Sequence, residues 1–107
     1  MFGNLGGMAS LALRFGEVQK NLKKMKEEMA AATLAGKDPT EKVVVEVSGL
    51  LHVRAVHIDP ALMSSGNSQA VEAACAAAIE DAVRQVKELG KQKFSEATGG
   101  VSLSGLI

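Results

Sequence analysis

Residues 8–29, MASLALRFGEVQKNLKKMKEEM, carry the pattern that decides the fold. Their large apolar side chains recur at alternating intervals of three and four residues, at Met8, Leu11, Phe15, Val18, Leu22, Met25 and Met29. This is the a/d spacing of a coiled-coil seam, sustained for three heptads. A helix with so narrow an apolar stripe must bury it against another surface, which either the rest of the chain or a second copy supplies. We therefore expect a long helix that begins near Ala9 or Ser10 and runs to about Ala32.

The segment after this helix predicts a small antiparallel sheet. Lys42 to Ser48, KVVVEVS, is rich in β-branched residues that favour a strand, and Ser48-Gly49 is a turn signal before a returning strand over 51–58. Residues 33–36 are too few to assign from their pattern alone, so a first strand there stays open. Pro39 follows, and it lacks the backbone donor that a strand ladder uses.

A second long helix is predicted at the end of the chain. Asp59-Pro60 favours a single helical turn to about Met63, with the aspartate as cap and the proline at the first helical position. Asn67 or Ser68 then caps a helix that runs to about residue 97. Its apolar stripe is Val71, Cys75, Ile79, Ala82, Val86 and Leu89. The alanine run at 73–78 makes this helix slim enough for a strand or helix to approach closely.

The predicted fold class is α+β, with a long N-terminal helix, a small antiparallel sheet of three strands and a long C-terminal helix. The 107 residues are expected to form one domain, with residues 1–8 and 99–107 flexible. One cysteine excludes an intramolecular disulfide and fits a reducing compartment. No apolar run approaches the length of a membrane span, and no basic segment precedes an apolar one as in a secretory signal, so we expect no membrane association.

Net charge is zero, but the charge is unevenly placed. Residues 1–26 carry five basic residues against Glu17 alone, residues 27–83 are acidic, and from Arg84 onward basic residues lead again. Positive charge therefore lies on the first helix and near the end of the last one. This asymmetry indicates either an electrostatic footprint for a polyanion or two ordinary solvated helix faces.

No pattern for catalysis or metal binding is present in the sequence. His52 and His57 lie five residues apart on one predicted strand, hence on opposite faces, and cannot share a metal. Cys75 sits in an alanine run and is interpreted as a small core residue. The glycines of the opening GNLGG precede no strand–helix phosphate loop. We expect no enzyme activity, no metal, no cofactor and no small-molecule substrate.

Several segments in this order resemble one known family. They are the opening MFGNLGGM, the helix end VQKNLKKMKEEM, the strand VVVEVSG, the junction VHIDPALM and the alanine-rich helix that closes with SEATGG. Together they resemble the YbaB/EbfC family of bacterial nucleoid-associated proteins. The resemblance implies a cytoplasmic homodimer at the nucleoid that binds double-stranded DNA with little sequence preference, using the outer ends of its helices. The chain departs from the family in the loop over 36–41, where a glycine-bearing turn is usual.

The resemblance and the charge placement together predict the site residues. The expected DNA contacts are Arg14, Lys20, Lys23, Lys24, Lys26, Arg84, Lys87, Lys91 and Lys93. The expected seam, for the dimer or for the core, is Leu11, Phe15, Val18, Leu22, Met25 and Met29. A second function stays open, a non-enzymatic scaffold for protein interactions that uses the helical dimer surface. The zero net charge and the lack of stacking aromatics favour it.

Overall fold

The computed structural model describes the backbone of residues 2–100 and the side chains of residues 12–100. The elements in chain order are α1 (Phe2–Ala31), β1 (Thr33–Lys37), β2 (Val43–Ser48), β3 (Val53–Ile58), α2 (Pro60–Ser64) and α3 (Ser68–Ala97). The predicted α+β class is confirmed, and β1 is the first strand that the sequence left open. Helix α1 begins at Phe2, well before its predicted start at Ala9 or Ser10. Met1, the side chain of Leu11 and most of the C-terminal segment predicted to be flexible lie outside the described part.

The three strands form one antiparallel sheet in the order β1-β2-β3. The central strand places Val43, Val45 and Val47 on one face, where all three are buried under α3. The side chains of α3 that pack on them are the small Ala78 and Ala82, followed by Val86. Apolar alternation in β2 and the slim segment of α3 thus produce the core, as the sequence predicted.

Gly36 of β1 lies where α3 comes closest to the sheet. A Cβ atom at this position would stand 2.3 Å from the carbonyl oxygen of Ala78 and 2.5 Å from the backbone nitrogen of Ala82. Only glycine leaves room for the helix at this distance. Ile79, predicted on the same apolar stripe of α3, is instead 53% exposed, because Ala78 and Ala82 are the residues turned toward the sheet.

Helix α1 packs on the second half of α3 with the C-terminal part of its seam. Met29 is buried and contacts Gly49 and Gly90. Val18, Leu22 and Met25 are half-buried. The contact ends near Asn21, whose side-chain Nδ2 donates to the carbonyl oxygen of Ala97 at 3.4 Å.

Beyond this contact α1 leaves the body of the molecule. The side chains of residues 12–17 are all exposed, and Phe15 of the seam is 65% exposed. The radius of gyration is 20.3 Å, whereas a compact chain of this length has about 13 Å. The protein therefore carries a long helical arm on a small sheet domain.

The loop between β1 and β2 is organised by the Asp38 side chain. Its carboxylate accepts hydrogen bonds from the backbone nitrogen of Val43 at 2.8 Å, from that of Thr40 at 3.1 Å and from the Thr40 hydroxyl. Pro39 lies in the loop, after the strand has ended, so its missing donor costs no ladder bond. Glu41 adopts a left-handed conformation, φ 59°, which closes the turn.

Gly36→Ala tests the close approach of α3. We expect a loss of about 1–3 kcal/mol of unfolding free energy, because the added methyl group forces the helix and sheet apart. Gly16→Ala is the matched control, since a Cβ there meets nothing within 4 Å on the exposed face of α1. That control should stabilise the protein by up to about 1 kcal/mol. Thermal unfolding by circular dichroism measures both, and equal stability of the two variants would contradict the packing.

The Asp38 carboxylate is expected to make the stability of the fold depend on pH in the acidic range. Hydrogen bonds to its carboxylate, first from the Thr40 hydroxyl and then from the Val43 amide, hold the pKa of Asp38 below its ordinary value. A lowered folded-state pKa contributes stability above the unfolded-state pKa, and this contribution is lost as pH falls through the folded-state value. Unfolding of the parent should therefore shift to lower temperature between pH 6 and pH 3 by more than that of Asp38→Asn. Equal shifts in the two proteins would show that Asp38 does not titrate in this way.

Candidate nucleic-acid interface

The most basic part of the structure is residues 12–26 of α1, which comprise the exposed stretch and the beginning of the contact with α3; we call these residues the α1 arm. It carries five basic residues and one acidic residue, Glu17. Lys20 and Lys23 are spaced so that they share the helix face opposite the seam that packs on α3, and Lys24 lies beside them at the border with α3. All three are exposed, and among the described side chains none of them takes part in an ion pair. Their charges are therefore available to an external anion.

Arg14 and Lys26 extend the same positive surface. Arg14 lies six residues before Lys20, and both Arg14 and Lys26 are exposed. In the heptad pattern they occupy the g and e positions, which flank the seam on its two sides. The arm thus presents positive charge over most of its circumference.

The basic residues of α3 are more heavily neutralised. Arg84 is paired with Asp81 one turn earlier. Lys91 lies 3.9 Å from Glu88, a distance typical of a weak surface pair. Lys87 is exposed and, among residues 12–100, has no ion-pair partner. Lys87 and Lys91 line a shallow groove together with Glu80 and Glu88, so this surface of α3 carries both charges.

Lys93 joins the two helices. Its Nζ atom lies 3.1 Å from the Glu28 carboxylate of α1 and 3.9 Å from that of Glu96. The Glu28 carboxylate, by hydrogen bond and by charge, raises the pKa of Lys93. A cavity of about 190 Å³ lies between α1 and α3, and Lys24 lines it together with Glu28 and Lys93. Of the nine predicted basic residues, only Lys24 and Lys93 are brought together across elements here, and the charge of Lys93 is already balanced.

Two side chains of α3 cover the outer edge of β1. Asp81 accepts a hydrogen bond from the backbone nitrogen of Lys37 at 2.9 Å, and Gln85 donates to the carbonyl oxygen of Ala35 at 2.8 Å. The Lys37 amide is the first cause that lowers the pKa of Asp81. An open strand edge is a template for pairing with another chain. Asp81 and Gln85 therefore occupy two backbone groups of the β1 edge, a role that the sequence did not predict.

Arg54 was also missed, because it lies in a stretch dominated by acidic residues. Its guanidinium donates to the carbonyl oxygen of Ala30 at 2.8 Å and to the Thr33 hydroxyl at 2.6 Å. A cation at the last turn of a helix offsets the negative end of the helix dipole. Arg54 lies at the register shift between β2 and β3. Its hydrogen bonds connect the C-terminal end of α1 to the sheet.

The opposite edge of the sheet exposes apolar side chains. Val53 and Val56 of β3 pair with Val47 and Val45, so they lie on the face of the sheet that bears α3. Helix α3 packs mainly on β1 and β2, and Val53 and Val56 are 63% and 52% exposed. Met63 of α2 and Ile79 of α3 are exposed as well. We call the two exposed valines of this strand, Val53 and Val56, the β3 surface.

His52 lies just before β3, outside the strand that was predicted to begin at Leu51, and His57 lies within β3. His57 Nε2 is 3.6 Å from a carboxylate oxygen of Glu46 on the face away from α3. Cys75 is half-buried against the core. Within the described residues, no group of three or more histidine, cysteine or acidic side chains is arranged to hold a metal ion. None of the helices in that part is long and apolar enough to cross a bilayer.

These features define a small α+β protein that presents a long, exposed basic helix. Residues 4–101 match the YbaB/EbfC DNA-binding family, and the chain belongs to this family of nucleoid-associated DNA-binding proteins. The fold is similar to the crystal structure of the uncharacterized protein HP0035 from Helicobacter pylori. The two share 22% sequence identity with a TM-score of 0.61, over 69% of this chain and 86% of that chain.

Proposed function

We propose that this protein binds double-stranded DNA as a homodimer, through phosphate contacts that carry little sequence preference. Membership of a DNA-binding family supports the ligand. The observation that carries the mode of binding is the basic surface of α1, where Lys20, Lys23 and Lys24 are exposed and have no carboxylate partner among the described residues. Lysine ammonium groups contact phosphate oxygens, which are the same at every base pair.

The contribution of α3 to DNA binding is expected to be unequal along the helix. Lys87 and Lys91 are exposed and add to the interface. Arg84 and Lys93 are held by Asp81 and Glu28, so a phosphate must compete with a carboxylate for each of them. We therefore assign the main share of binding to the α1 arm, with Arg14 and Lys26 as further contacts.

The homodimer is proposed to form through the β3 surface. Within one chain Met29 is buried and Leu22 and Met25 are half-buried, so this part of the seam offers a partner less apolar surface than the exposed valines of β3 do. Burying a valine such as Val56 contributes on the order of 1.5–3 kcal/mol when burial is complete. A two-fold axis at this surface repeats the β3 residues on both copies and carries two basic arms. Two arms on one dimer give a pair of positive surfaces for one duplex.

A protein-interaction scaffold remains the second candidate. The zero net charge and the exposed apolar β3 surface favour it, because such a surface is typical of protein association. In either function the protein is proposed to act without catalysis, metal or cofactor. A nucleoid-associated role places it in the bacterial cytoplasm.

Charge reversal on the arm tests the DNA proposal. Lys23→Glu with Lys24→Glu should weaken binding to all duplex sequences alike and flatten the dependence of log K on log salt by about 0.9 for each phosphate that is no longer neutralised. The control is Lys37→Glu with Lys42→Glu, which makes the same charge change on exposed residues at the sheet. Fluorescence anisotropy with a labelled duplex at several salt concentrations measures both.

The two variants separate local contacts from net charge. An equal decrease of affinity in both would assign binding to overall charge, and unchanged affinity in the arm variant would place the site elsewhere. Absence of binding by the parent at low salt would favour the scaffold function.

Val56→Lys tests the dimer surface. The side chain of Val56 is 52% exposed in a single chain, so the fold should tolerate lysine, while a partner copy should be repelled. His57→Lys is the matched control on the neighbouring residue, whose side chain points to the other face of the sheet. Light scattering at tens of micromolar should give a monomer for Val56→Lys and a dimer for the control. A dimer from both variants would move the interface away from β3, and a monomeric parent would exclude it.

A further inference from the structure

We propose that Leu51, in the turn that joins β2 to β3, is a contact residue of the homodimer and packs against a second copy of the chain. This inference rests on the proposed function, because it adds a residue to the dimer interface at the β3 surface. It explains why a leucine occupies a position that is unfavourable for it in two independent ways.

The backbone of Leu51 has a conformation that leucine rarely adopts. Its φ is 63°, in the left-handed region where glycine and asparagine are the usual residues. Two hydrogen bonds of the turn hold this conformation. The Leu51 amide donates to the carbonyl oxygen of Ser48 at 3.0 Å, and the Ser48 amide donates to that of His52 at 2.9 Å. Because both bonds use backbone atoms alone, glycine or asparagine would form the same turn at a lower conformational cost.

The side chain of Leu51 is also unfavourable for a single chain in water. It is 45% exposed, and among the described residues it is not one of the side chains that pack on the core valines. Glu41, the other described residue besides glycine with a positive φ, is exposed and charged, as expected in a solvated turn. Leu51 thus combines a strained backbone with an exposed apolar side chain. A departure of this kind from two local preferences indicates a function for the side chain.

The area that a stable dimer needs favours a second copy as the occupant. A stable interface buries about 800 Å² on each partner. Even a large aromatic side chain supplies at most about 250 Å², so the two partly exposed valines of the β3 surface fall well short. Leu51 lies two residues before Val53, within about 7 Å along the chain. It therefore extends the exposed apolar surface of this edge toward the turn, and a two-fold axis at β3 repeats the extension on the partner.

Leu51→Asn tests the inference with two measurements that should change in opposite directions. Asparagine tolerates the left-handed conformation, so the single chain should unfold at a temperature higher by about 4 °C. This is measured in the Val56→Lys background, where the dimer surface is already disrupted. Without Val56→Lys, the dissociation constant of the dimer should rise by about tenfold or more, because an apolar contact is lost on both copies. Sedimentation equilibrium over a dilution series measures that constant.

Glu41→Asn is the matched control, since it relaxes the other left-handed residue without removing apolar surface. It should raise the unfolding temperature to a similar extent and leave the dissociation constant of the dimer unchanged. Leu51→Met keeps a large apolar side chain and should retain the dimer affinity of the parent.

An unchanged dissociation constant for Leu51→Asn, while Val56→Lys gives a monomer, would overturn this inference and leave the dimer proposal standing. A less stable chain in the monomeric background would also overturn it, because Leu51 would then serve the fold of the single chain. A monomeric parent would overturn the dimer proposal and this inference together.

Discussion

The close approach of α3 to β1 at Gly36 is the contact on which the rest of the structure depends. Because Ala78 and Ala82 are small, α3 lies directly over β1 and β2 and buries the valines of the central strand. The same placement brings Asp81 and Gln85 to the β1 edge. It also leaves β3 beyond the width of the helix, with its apolar side chains exposed. The position of α3 therefore partly covers the β1 edge of the sheet and leaves the β3 edge exposed.

The position of α3 also fixes the arm. Its second half supports the C-terminal part of α1 through Met29, the Glu28–Lys93 pair and the Asn21 hydrogen bond, while Arg54 holds the base of α1 to the sheet. Helix α1 extends past the end of α3 beyond Asn21, and Lys20, Lys23 and Lys24 are exposed to solvent. This arrangement reconciles zero net charge with a polyanion ligand, because the carboxylates near the helix contact neutralise Lys93, whereas among residues 12–100 none pairs with Lys20, Lys23 or Lys24.

Most of the fold could be predicted from the sequence, because its signals are local: heptad spacing for α1, β-branched alternation for β2, and Asp59-Pro60 and Asn67 as helix starts. The strand β1 could not be assigned from residues 33–36 alone, since its stability comes from pairing with β2 and from the α3 contact at Gly36. The site was only partly predictable. Lys93 and Glu28 are 65 residues apart, so sequence spacing gives no sign that they neutralise each other. The i,i+4 spacing of Asp81 and Gln85 was visible, but its use at a strand edge depends on tertiary packing.

The central claim is that the charge of the α1 arm, rather than base recognition, gives this protein its affinity for DNA. The most direct test is a pair of binding isotherms for the unaltered protein on two duplexes of equal length and unrelated sequence, each measured at two salt concentrations. The account predicts equal affinities on the two duplexes and a steep, equal decrease with salt, with a log–log slope of about −0.9 per phosphate neutralised. A marked preference for one duplex that persists at high salt would contradict it.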